Sequence, residues 1–68
     1  MKLSARNQLR GTVNEVTTGA VMAEVVVDVG GQEVVAAITC GSAESLEFAA
    51  GDEVTVVIKA TEMILGKN

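Results

Sequence analysis

The sequence predicts an all-β domain, a small five-stranded OB-type barrel with one short helical turn, which works as an oligomer. Three observations lead there. Apolar and polar residues alternate with a period of two in several short runs, the pattern of strands with one covered face. Turn signals separate those runs, Gly30-Gly31 being the sharpest, a two-residue hairpin connection of the primed type. A single break in the alternation, Gly41 to Phe48, falls between the third and fourth runs, which gives the element order of a small OB-type barrel. An SH3-like barrel is the main alternative.

After a polar opening, Leu9 to Val16 mixes apolar and polar residues as a first strand does, and Thr17-Thr18-Gly19 signals a turn. From Ala20 to Val29 the second strand carries Val21, Ala23, Val25, Val27 and Val29 on one face, with Glu24 and Asp28 on the other. The return strand, Gln32 to Thr39, places Val34, Ala36 and Ile38 on one side and Val35 and Ala37 on the other, so it reads as covered on both faces. In the break, Ser42 can cap a helical turn with Glu44 and Ser45 in its first turn and Leu46 facing inward. Ala49 to Asp52 turns the chain into a fourth strand, Glu53 to Lys59, with Val54, Val56 and Ile58 on one face. Met63 to Leu65 is expected to form a brief fifth strand.

Sixty-eight residues make one domain, 1–68, with a modest core. Such chains gain stability from disulfides, metals or self-association. One cysteine, Cys40, excludes an intrachain disulfide, and a chain with no histidine offers no plausible structural zinc site. Self-association is what remains. It also accounts for a composition 49% hydrophobic with Phe48 as the one aromatic residue, more β-branched surface than a small barrel hides. No apolar run is long enough to span a bilayer, and MKLSARNQLR lacks the hydrophobic stretch of a signal peptide. With a lone thiol, this points to the reducing cytoplasm and to no membrane partner.

The net charge of −4 opposes nonspecific nucleic-acid binding, and the chain lacks aromatic platforms and a basic groove for single strands. Of five basic residues, Lys2, Arg6 and Arg10 lie in the first ten positions and Lys59 and Lys67 in the last ten. Between Gly11 and Ile58 there are eight acidic residues and no basic one. If the chain ends meet, they form a small cationic spot on an acidic protein.

The residues argue against an enzyme. Without histidine there is no Ser-His-Asp or Cys-His arrangement, and no phosphate loop or dinucleotide fingerprint occurs. Glu24, Asp28 and Glu33 alternate with valines and read as solvated faces. The segment Ser4-Ala5-Arg6-Asn7-Gln8 is different: a hydroxyl, a guanidinium, two amides and free backbone N–H groups form a dense array of donors, as an oxyanion requires. From composition alone it also reads as an ordinary polar tail. Lys59 reads as a strand-edge lysine, Thr39 and Ser42 as an N-cap and a strand-end hydroxyl, and Cys40 as a small, partly buried residue.

SARNQLRG at Ser4 to Gly11 resembles the opening of the molbindins, the small molybdate-binding proteins also called molybdenum-pterin-binding proteins. The likeness continues through AEVVVDVGG (Ala23 to Gly31), AAITCGSAESLEF (Ala36 to Phe48), GDEV (Gly51 to Val54) and VIKATEMIL (Val57 to Leu65), essentially the whole chain. It implies OB-type barrels assembled as a trimer of dimers, a homohexamer, with molybdate or tungstate bound at subunit interfaces and no other cofactor. By motif match, Ser4, Ala5 and Arg6 of one subunit form one oxyanion site, completed by Thr39, Ser42, Lys59 and Ala60, some from a neighbour. A second site nearer the symmetry axis, built from backbone N–H groups, falls at Gly19, Ala20 and Val21. Family members often have serine where this chain has Ala60. The function implied is storage and homeostasis of the anion. An oxyanion-sensing interaction module and a molybdopterin carrier are the alternatives.

Overall fold

A computed structural model describes residues 1–68. Four antiparallel strands form one sheet in the order β3-β2-β1-β4: β1 is Asn7–Thr18, β2 Met22–Val29, β3 Gln32–Thr39 and β4 Glu53–Ile58. A short helix, α1 (Cys40–Ser45), joins β3 to β4, and a single 3-10 turn covers Ala60–Glu62. No helix is long and apolar enough to cross a membrane.

The long first strand organises the sheet. Its first half, from Asn7 to Thr12, pairs with β4, and its second half, from Thr12 to Thr18, pairs with β2. At the handover the register with β2 shifts between Val13 and Glu15, a bulge that adds one residue and bends the strand. Asn14 is the residue left without a partner there; Val13, opposite Val27 on β2, also bonds the turn before β4, donating to Asp52 O at 2.8 Å and accepting from Gly51 N at 2.8 Å. Gly11 sits where β1 passes closest to β2: a Cβ there would lie 2.6 Å from Val27 Cγ1 and 2.7 Å from the Asp28 carbonyl oxygen.

Alternation in β2 works as the sequence predicts. Ala23, Val25 and Val27 are buried and, with Val13, gather Val16, Val29, Ile38, Phe48, Val54 and Val56 into one core. Val21 does not join them. It lies before the strand in the Gly19–Val21 turn and is 70% exposed. The strand boundaries shift for a related reason: Thr17 and Thr18 stay paired with β2, so the turn begins at Gly19, three residues before β2 starts.

Four other expectations change. No fifth strand forms at Met63 to Leu65, and the sheet is open instead of closed as a barrel, because the outer strands β3 and β4 do not pair with each other and the tail pairs with neither free edge. Ile64 and Leu65 are 94% and 89% exposed as a result. The second face of β3 is bare, with Val35 58% exposed. Thr39, not Ser42, caps α1: its backbone is extended and its Oγ1 accepts from Ser42 N at 3.0 Å. Leu46 points outward, since α1 ends before it and Glu47 adopts a left-handed conformation (φ 54°) that swings Phe48 inward instead, beside the buried Ala43.

Candidate functional site

Pairing of Asn7 with Ile58 brings the segment before β1 alongside the segment after β4. Between them lies an open cavity of about 530 Å³ lined by Leu3, Ser4, Ala5, Arg6, Val57, Lys59, Ala60 and Thr61. Two of the chain's five cations, Arg6 near its start and Lys59 near its end, therefore line one hollow. The N–H groups of Ala5 and Arg6 donate to no backbone acceptor, and the first N–H groups of the 3-10 turn at Ala60 have no partner within it. A guanidinium, an ammonium, two hydroxyls and several unspent N–H groups make this a place for a small anion.

Sequence reasoning misses three of the lining residues. Leu3 and Val57 supply an apolar wall, which no donor pattern signals. Thr61 supplies a hydroxyl immediately after Ala60.

Asn7 and Gln8, part of the same polar segment, do not line the cavity. Each holds its border: Asn7 Nδ2 donates to the Ile58 carbonyl at 3.1 Å, and Gln8 Nε2 donates to the Ala5 carbonyl at 2.7 Å.

Thr39, Ser42, Gly19, Ala20 and Val21 gather elsewhere. Thr39 pairs with Met22 and Thr18 with Ala23, so this group sits at the far end of the bent strand β1 from Asn7. Cys40 N donates to Val21 O at 2.7 Å and Cys40 Sγ lies 3.4 Å from Gly19 O, which ties the turn to the start of α1. Thr39 Oγ1 and Ser42 Oγ bond each other at 2.8 Å. The Gly19 N–H is committed to Met22 O, whereas those of Ala20 and Val21 make no backbone bond. None of these five residues lines the Arg6–Lys59 cavity, so one chain alone does not unite the two groups.

A second groove of about 520 Å³ includes Arg10, Thr12, Asp28, Glu53 and Thr55 in its lining. Register places Thr12 opposite both Asp28 and Glu53, so two carboxylates flank it and oppose an anion. No group of three or more His, Cys, Asp or Glu is placed to hold a metal ion.

Fold and cavity define a class: a small all-β domain with a hollow, lined by two cations, where the segments flanking β1 and β4 meet. The sequence pattern of the TOBE domain matches residues 3–65, and the chain belongs to that family and, within it, to the molbindins, the molybdenum-pterin-binding proteins. Molybdenum-pterin-binding protein 3 of Clostridium pasteurianum is 46% identical over 66 residues, covering 96% of this chain and 97% of the relative. The solved molybdate-binding protein of Sporomusa ovata superposes with a TM-score of 0.94 at 51% identity, covering 98% of this chain and 100% of that one. The cytoplasmic molybdate-binding protein ModG, solved with molybdate bound, gives 0.85 at 51% identity, covering 88% of this chain and 43% of the longer ModG chain.

Proposed function

We propose that this protein binds molybdate or tungstate reversibly at interfaces between copies of itself, as a cytoplasmic store that does no chemistry on its ligand. The observation that carries this reading is the convergence of Ser4, Ala5 and Arg6 with Lys59 and Ala60 on one cavity. A tetrahedral dianion asks for about two positive charges with neutral donors spread around them. Arg6 and Lys59 supply the charges; the hydroxyls and backbone N–H groups supply the directions. Thr39 and Ser42, at the other end of the sheet, enter this site from a neighbouring subunit of a homohexamer, a trimer of dimers. A second anion site uses the N–H groups at Gly19, Ala20 and Val21, with the last two as the free donors.

The relatives support the ligand: two solved neighbours are described as molybdate-binding, and ModG as cytoplasmic. Tungstate is nearly identical to molybdate in size and charge, so this donor set accepts either. Names of other relatives include pterin, but the only aromatic ring here, Phe48, packs on the core, leaving none for a pterin to stack on.

The test is calorimetric titration of the purified protein with molybdate in excess sulfate, with particle mass measured on the same sample. Saturable binding in a hexamer-sized particle is expected, and Arg6→Gln and Lys59→Met each weaken it on the order of 10- to 100-fold. No heat from a well-folded oligomer, or sulfate displacing molybdate at equal concentration, would reject the reading.

A further inference from the structure

An anion site built from loop backbone faces a specific difficulty: every peptide that offers an N–H also carries a carbonyl oxygen, whose partial negative charge repels the ligand. Two such carbonyls are at issue at the Arg6–Lys59 cavity: Ala5 lines it, and Ile58 falls in the chain between the lining residues Val57 and Lys59. Both are occupied by amide side chains from adjacent positions of β1, Gln8 Nε2 at 2.7 Å and Asn7 Nδ2 at 3.1 Å. Neither amide lines the cavity, so the carbonyls they hold are engaged on sides away from it.

The consequence for Ala5 follows from peptide geometry. The unit between Ala5 and Arg6 is planar and trans, with its C=O and N–H pointing in opposite directions. Fixing the oxygen on Gln8 turns the Arg6 N–H the other way, and that N–H has no backbone acceptor of its own. Gln8, near the start of β1, reaches back three residues to Ala5, which precedes the strand, where nothing in the sheet ladder sets the peptide's orientation.

We propose that Asn7 and Gln8 are positioning residues of the oxyanion site: they hold the Ile58 and Ala5 carbonyls off the ligand and present the Arg6 N–H to it. The inference rests on the oxyanion-binding reading above. Gln8 is the cleaner probe because its bond is exposed and adds little to the fold, whereas Asn7 is half-buried on β1.

Gln8→Met keeps the length of the side chain and removes its donor; Gln8→Lys restores a donor. Both are compared with wild type by molybdate titration in excess sulfate, which screens the added charge. The ligand-free melting temperature and particle mass of each are measured alongside. Gln8→Met is expected to bind about 10-fold more weakly at unchanged melting temperature and mass, the size of effect that residues supporting a ligand shell have elsewhere. Gln8→Lys is expected to recover most of that loss. Wild-type affinity in Gln8→Met, or a loss matched by a lower melting temperature and not recovered by Gln8→Lys, would overturn the inference. Wild-type protein that binds no molybdate would instead overturn the function on which it rests.

Discussion

Backbone conformation at single residues decides several features that no side-chain pattern reveals. Glu47 is the one non-glycine residue with positive φ, at 54°, directly after the Leu46 cap of α1. Glycine is the usual residue at that place, because a Cβ there crowds the carbonyl at a cost of roughly 1–2 kcal/mol. The position still serves a purpose, since the left-handed step is what sends Phe48 to the core in place of Leu46. Glu47→Gly should therefore stabilise the fold by about 1 kcal/mol, raising the melting temperature some 4–8 °C, as read by thermal unfolding. An unchanged or lower value would mean that the Glu47 side chain contributes more than its strain costs.

At the level of elements, the tail after β4 is the segment whose structure the chain alone does not complete. Met63 follows the 3-10 turn with extended backbone (φ −83°, ψ 139°), and Ile64 and Leu65 are almost fully exposed. β-branched and aliphatic residues in an extended segment are strand formers that lack a strand to pair with. The free edges of β3 and β4 have the complementary lack: one row of backbone groups on each is unpaired. In the proposed assembly these surfaces are covered by neighbouring subunits. Replacing Ile64 and Leu65 together by Asp should lower the particle mass measured by light scattering while circular dichroism still reports β structure. Retention of the full-sized particle would remove the tail from the interface.

For the whole molecule, five buried residues in sixty-eight leave little margin for a free monomer. If anions bind between subunits, ligand and assembly stabilise each other, and each site adds about 2.7 kcal/mol at a ligand concentration 100 times its dissociation constant. Molybdate should raise the melting temperature of wild type and leave that of the Arg6→Gln, Lys59→Met double variant nearly unmoved, in scans at matched sulfate. Equal shifts in both proteins would place the bound anion outside the Arg6–Lys59 cavity.

Features that depend on local pattern are legible in the chain without its fold. The period-two faces of β2 and β3, the Gly30-Gly31 hairpin and the helical turn between the third and fourth strands all follow from residue type and spacing, which neighbouring residues enforce. The charge clustering at the two chain ends showed where a cationic spot would form if those ends met, but not that they would. Long-range pairings, which local pattern does not encode, emerge only from the fold. β1 exchanges β4 for β2 at a bulge, which separates Thr39 and Ser42 from Arg6 by the length of a strand. Thr61, Leu3 and Val57 join the cavity because of how the segments flanking β1 and β4 lie side by side. Met63 to Leu65 has the composition of a strand yet forms none, because a strand exists only through hydrogen bonds to a partner, and no segment of this chain supplies one.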